Sequence, residues 1–476
     1  MRFTKKNRRL GFEGLETRRM FDGVITTTYQ NGTLTLFGDS SANAVLIISN
    51  SPGSIELIGL STTNQSNASN DTKINSASSK TITNVQNVVI NFGNPTAGVN
   101  AGDDQIYISG INYNVGIGIQ TGDGNNLIKV GQFDTSNLLA NGPSPLDSTV
   151  IARLGPVTLG NGLAMNLGGG DNTVLLDQVT LHGAAGNNLN IKSGDGTSTV
   201  TINNTTDFHA ANFVDSGTLT LSFNNFTAKK TLNVATGIGN DIITLSNSNI
   251  NGKANFTTGF GDDTLNLDHD MLGSFDAAMA AGDDHITTDT VTVVGESTLV
   301  GGADNDTISL SNFNAGALSV QGVAGDDTLT ASNVFVARKA TFDGGDGADT
   351  IWLNGFNSTN LLINGGTGFD HLWLISATAS QNITVNGGLG DDAATLNQVS
   401  AGSVNINMGV GNDQVTLDTM SASLLAITLD KGNDTVAAIH MTITGPATIA
   451  GGPGNDTYTD NGFNTYNSLD KKSIEN

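Results

Sequence analysis

The chain has 476 residues, with 60 glycines against 7 prolines, no cysteine and a formal charge of −24. Only five of its 44 acidic residues are glutamate (Glu13, Glu16, Glu56, Glu296 and Glu475), so the charge sits on aspartate, a turn-forming and helix-averse side chain, which argues against helical bundles and doubly wound folds. The hydrophobic content of 37%, rich in Leu, Ile and Val, is too high for a disordered acidic polymer and points to a folded, mostly β protein. Without cysteine there are no disulfides, thiolate zinc sites or thiol nucleophiles, and a body this acidic repels nucleic acid and anionic membranes while attracting cations.

In chain order, residues 1–23 come first. They carry seven basic groups, Arg2, Lys5, Lys6, Arg8, Arg9, Arg18 and Arg19, against Glu13 and Glu16. No apolar run of secretory length follows them, and no transmembrane stretch occurs later. The segment Leu15-Glu16-Thr17-Arg18-Arg19-Met20-Phe21 resembles the N-terminal LEPR-XLL motif of planctomycete surface and secreted proteins, with Thr17 at the family's proline. The resemblance implies a sorting segment and an extracellular or cell-surface protein.

Residues 24–99 read as an irregular β region with short strands over 33–37, 44–48 and 54–58 and a polar loop over 61–80. Residues 100–235 hold loosely repeated glycine turns, among them Gly122-Asp123-Gly124-Asn125-Asn126 and Gly168-Gly169-Gly170-Asp171-Asn172, and are expected to be degenerate turns of one solenoid.

Over 236–460 the repeat becomes strict. Aspartates that follow a glycine turn occur at Asp241, Asp263, Asp284, Asp306, Asp327, Asp349, Asp370, Asp392, Asp413, Asp434 and Asp456, spaced by 22, 21, 22, 21, 22, 21, 22, 21, 21 and 22 residues. Two residues after each Asp the side chain is apolar, as at Ile243, Leu265 and Val415, and seven residues before it is apolar again, as at Val234, Phe256 and Ile449. Period-two alternation on both sides of a glycine corner predicts two short strands per repeat with one face turned inward, and stacking buries the faces that a single repeat cannot. The expected fold is an all-β, elongated parallel β-solenoid with one glycine-Asp corner per 21–22-residue turn, ending in a polar C-terminal cap over 461–476. About sixteen rungs at about 4.8 Å each give a rod about 75–80 Å long.

The clearest copies, Gly365-Gly366-Thr367-Gly368-Phe369-Asp370 and Gly451-Gly452-Pro453-Gly454-Asn455-Asp456, resemble the G-G-x-G-x-D-x-U-x repeat of haemolysin-type (RTX) calcium-binding proteins. That resemblance implies Ca²⁺ as the cofactor and the eleven aspartates as its ligands. It also implies a single metal-lined corner, because the motif recurs once per turn here and twice per turn in that family. Stacked carboxylates repel by about 0.9 kcal/mol per neighbouring pair in bulk water, which a divalent cation would neutralise; the alternative is a metal-free ladder in which Asp and Asn accept backbone N–H groups.

Other signals are weaker. Trp352 and Trp373 fall on successive rungs and read either as a carbohydrate platform or as an aromatic stack that steadies neighbouring rungs. The six histidines share no metal-ligand spacing. Polysaccharide-active enzymes also use β-helices, yet each carboxylate here is one of a repeated series, and no long insertion is evident that would make a cleft. The expected function is therefore a non-enzymatic structural or adhesin-like repeat protein that binds calcium, with extracellular polysaccharide or cell-surface components as partners.

Overall fold

The computed structural model describes residues 23–474 apart from 40, 61–71, 94–101, 134–153, 183–188 and 208. The basic segment expected to direct sorting, residues 1–22, lies outside the described residues. No described helix is long and apolar enough to cross a membrane.

The chain is a β-solenoid of about sixteen turns: each regular turn contributes one strand to each of two facing sheets, whereas in the upper turns the second strand is split into two short ones, as in Thr227–Ala228 and Leu232–Ala235. In the regular part the first strand is short, as in Thr264–Asp268 and Thr307–Ser311, and the second is long, as in Thr292–Ala303 and Asn314–Ala324. The expectation of two short strands therefore holds for one sheet only. Strands of successive turns pair in parallel and in register: Leu265 lies beside Ile243 on one side and Ile286 on the other. Alternate side chains of both sheets point inward and form one continuous apolar column from Ile25 to Tyr458. Phenylalanines pack edge-on within it, Phe256 against Phe275 at 6.0 Å and Phe342 against Phe356 at 5.5 Å, a favoured geometry for aromatic pairs.

The alternation of 21 and 22 residues has a structural cause. Every long strand carries a register shift, and that shift absorbs the odd residue. Two residues stand between paired positions in the longer turns (Val294 and Gly295, Ala337 and Arg338), and one in the shorter turns (Gly316, Thr359). The bulge lies on the outer wall, so the inward faces before and after it stay in phase.

Two corners join the strands. One is the glycine turn. The other is a single residue in the left-handed region, whatever its type: Asn247, His269, Thr290, Ser376, Gln398 and His440 all have φ between +52° and +57°. The conformation costs a non-glycine residue about 1–2 kcal/mol. It recurs because the N–H of this residue donates to a carbonyl of the next turn, as His269 does to Asp289 O at 3.0 Å and Gln398 to Asp418 O at 3.0 Å.

The two ends differ. At the N-terminal end Val24–Gln30 and Thr33–Phe37 form an antiparallel hairpin through Asn31-Gly32, both at positive φ, the signature of a type I′ turn. Ser54–Gly59 and Ser79–Thr83 add antiparallel strands to Ala44–Ser51, which itself starts the parallel stack on Gln105–Ser109. The stretch expected as loop through residue 80 thus contains Lys73–Ile74 and the start of Ser79–Thr83. At the C-terminal end the expected cap is part of the solenoid: Thr465–Lys472 pairs in parallel with Thr442–Ala450. Residues 132–156 intervene between the consecutive strands Leu127–Gly131 and Val157–Leu159, an insertion that sequence reading did not single out.

Candidate functional site: a buried carboxyl ladder

The eleven motif aspartates do line up, one per turn, but inside the molecule. Each is at most 1% exposed. The reason is the alternation itself: Asp263 shares its face with Leu265 and Leu267, and all three point into the column.

The Oδ1 of each carboxyl accepts the backbone N–H of the residue at the same station one turn earlier, which is Leu219 for Asp241 (2.6 Å) and a motif aspartate for the other ten. Asp241 N–H donates to Asp263 at 2.7 Å, Asp327 to Asp349 at 2.8 Å and Asp392 to Asp413 at 2.8 Å, and the series runs unbroken to Asp434 and Asp456 at 3.1 Å. The carbonyl of the same aspartate accepts the N–H of the residue after the next turn's aspartate, as Asp241 O does from Thr264 at 2.8 Å. Both backbone groups at the corner are thereby satisfied across turns.

Oδ2 has no partner in hydrogen-bond geometry in any of the eleven, though beside Asp241 and Asp263 the hydroxyls of Thr236 and Thr258 favour the charged carboxyl. Oδ2 lies toward the residue five positions earlier in the chain, in or just past the opposite strand. That residue is Gly301, Gly322, Gly344, Gly365, Gly387 or Gly451 in six turns, where a Cβ would collide with the carboxyl. Elsewhere the position holds Thr236, Thr258, Met279, Met408 or Leu429, and both methionines and the leucine are buried. The glycine two residues before each aspartate serves the corner: its φ lies between +103° and +157°, and a Cβ there would collide with a carbonyl of the preceding turn, or at Gly239 with the Thr218 side chain, so glycine is needed twice over. Asp304, the one substitute, takes φ +80°.

Burial pushes the carboxyls up. Removal from water raises Asp241, Asp327, Asp413 and Asp434 to about 6, and Asp284, Asp306, Asp349 and Asp392 to about 7; the accepted N–H bonds lower them, and neighbouring carboxyls mostly raise them further. Asp263 and Asp370 are raised by the same burial.

The column extends beyond the eleven. Register continues it upward through Leu219, Ser198, Asn172, Asn126, Asp104 and Asn43. Asn126 accepts the Asp104 N–H at 3.1 Å, and its own side-chain amide donates to Gly124 O at 2.8 Å and to Asn172 Oδ1 at 2.9 Å. Asp104 accepts the Asn43 N–H at 2.8 Å and is pushed up to about 8 by burial.

A second, exterior ladder flanks the first. Residues just before the motif aspartates donate N–H groups to the preceding turn's side chain: Asp283 to Asp262 at 3.1 Å, Asn305 to Asp283 at 3.0 Å, Asp326 to Asn305 at 2.7 Å and Asn433 to Asn412 at 3.0 Å. It is interrupted at Ala348 and Phe369, the only two of these eleven positions that are neither Asn nor Asp.

The inner column does not fit calcium. The ion takes 6–8 oxygens at 2.3–2.6 Å, whereas here one oxygen of each carboxyl is held by an N–H and the other is packed on glycine, threonine, methionine or leucine. Among the described residues no group of three or more His, Asp or Glu side chains is placed to hold a metal ion.

The remaining candidates lie outside. Trp352 and Trp373 are cross-strand neighbours on the outer face, and Trp373 stacks on His371 at 5.1 Å, which meets Phe369 edge-on at 4.8 Å. His269 and His440 pair with Asp268 and Asp418 at the left-handed corner. A surface hollow of about 470 Å³ is lined by Gly252, Lys253, Met271, Leu272 and Val294, and a second of about 460 Å³ by Tyr113, Asn161 and His182 among others; no carboxyl lines either. No protein-family model matches the chain, and no curated protein matches it.

Proposed function

We propose that this chain is a non-catalytic structural solenoid, a stiff spacer of the cell surface or extracellular space that holds together without metal. The observation that carries the reading is the cross-turn carboxyl-to-backbone bond at ten consecutive corners, which uses the repeated aspartates for rigidity. A carboxyl enclosed on all sides cannot reach a substrate, which sets the abundant acids apart from the exposed carboxyl pairs of glycan hydrolysis. The calcium reading carried by the repeat motif retains only the exposed corner acids such as Asp262 and Asp283, which lie on successive turns.

The test is a thermal melt of the full chain in calcium and in chelator, with turnover assays on pectate, alginate and β-glucan alongside. Coincident melts and no turnover are expected. A large calcium-dependent rise in Tm would restore the metal, and turnover would replace the structural reading.

An adhesin-like role has one specific observation in its favour. The exterior ladder lapses at Ala348 and Phe369 in the same two turns that carry Trp352 and Trp373, so an aromatic cluster replaces the polar edge at one place. Binding to insoluble polysaccharide, lost in Trp352→Ala/Trp373→Ala with an unchanged melt, is the expected outcome if that cluster is a contact surface.

A further inference from the structure

We propose that the inner aspartates are neutral carboxylic acids in the folded chain, so that the rod takes up protons as it folds and is held together by proton loading where its motif suggests calcium loading. This goes beyond the structural reading and would survive a change in what the rod carries.

Three observations support it. First, each Oδ2 is enclosed without a hydrogen-bond partner, and outside Asp241 and Asp263, which the Thr236 and Thr258 hydroxyls adjoin, an ionised oxygen so placed would forgo all solvation. Second, a carbonyl of the following turn borders the same space. A Cβ on Gly322 would meet both Gly344 O and Asp327 Oδ2, and the same holds for Gly365 O with Asp349 at Gly344 and for Gly387 O with Asp370 at Gly365. An ionised oxygen would face that carbonyl as like against like, whereas a protonated one has an acceptor beside it. Third, the column already uses the neutral isostere: Asn126 and Asn172 occupy the station, and Asn126 accepts the cross-turn N–H as the aspartates do.

The charged surroundings do not favour the anion. Facing the column at the corner are the carboxyls of adjacent turns and of Asp262, Asp283, Asp326 and Asp391, with Asp215 beside Asp241. Asp304, Asp346, Asp430 and Lys431 lie on the outer side of the corner, and His371 adjoins Asp370. The opposite sheet presents Gly, Thr, Met and Leu. The upward displacement of the acids by burial agrees with this arrangement.

The experiment measures proton release when the wild-type full chain is unfolded by urea in weakly buffered solution near pH 5, together with the infrared carboxyl bands of the folded state. The expected result is release of several protons per chain, on the order of the number of ladder acids, and a protonated-carboxyl band that disappears on unfolding. Asp349→Asn/Asp370→Asn, which keeps the acceptor, should fold, lower the release by about two protons and keep or raise Tm at pH 7. Release near zero, or a folded state whose carboxyl bands are wholly ionised at pH 5, overturns the proposal. So does calcium uptake on folding that the double substitution abolishes. If the double variant fails to fold, the wild-type proton count and infrared bands decide the matter.

Discussion

The upper turns, from Asp104 to Leu219, and the regular turns, from Asp241 to Asp456, share one column but fill it differently. Above, the station holds Asp104, Asn126, Asn172, Ser198 and Leu219; below, it holds aspartate eleven times in succession. The upper turns also vary in length and take the insertion at 132–156, whereas the lower ones alternate by a single residue. What the station requires is therefore compact size and, in most turns, an oxygen that accepts the neighbouring N–H. A negative charge is not part of the requirement, and a column position that accommodates Leu219 is no obligatory ion site.

The comparison can be broken most forcefully at the corner glycines. Gly390→Val should cost the lower turns at least about 3 kcal/mol, because φ +128° and the Gly368 carbonyl both exclude a side chain; urea melts will measure it. Removing an acceptor comes next. Asp349→Ala should cost about 2–3 kcal/mol by leaving the Asp327 N–H buried and unpaired, and a melt of the Asn variant at the same position should show no loss at pH 7.

Reversing the difference is the sharper test. Asn126→Asp puts a carboxyl where the Gly124 and Asn172 oxygens expect a donor. It should cost about 2 kcal/mol at pH 7 and clearly less at pH 4, where a protonated acid can donate.

For the wild type the pH dependence follows from the raised acids. Well below the ordinary aspartate value of 3.8 the acids raised to about 6 to 7 are protonated in both the folded and unfolded chain, so their contribution is complete. As pH rises the unfolded chain loses protons first, and stability falls until the folded groups titrate at about 6 to 7. Tm should decline across that window and then level off; a Tm that climbs from pH 4 to 7 would contradict the raised acids.

The smallest effect is expected at the bulge. Deleting Ala337 turns a 22-residue turn into a 21-residue one, which its neighbours already are, and should shift Tm by no more than a few degrees.

Much of this was legible in the residues. The eleven-fold spacing gave the turns and their stacking, and the inward face follows from Ile243, Leu265 and their counterparts. The same parity placed the aspartates inside, since Asp263 and Leu265 are two residues apart on one strand. The likeness to a calcium motif, which suggests a metal-lined corner, pulled the reading the other way. The left-handed corner was not legible: His269, Thr290 and Gln398 have no residue type in common, and their conformation is imposed by a hydrogen bond to the next turn. Nor was Thr465–Lys472 as a strand, because it is mostly exposed and lacks the inward alternation of the others.

Because the bulges alternate between two residues and one from Asp241 to Asp413, the smallest unit that restores the pattern is a pair of turns. Rods built this way would lengthen by duplication in pairs, each pair adding about 9–10 Å at the spacing of hydrogen-bonded strands. A gain or loss of one turn would leave two like bulges side by side, as already happens once, where the turns that begin at Asp392 and Asp413 are both short.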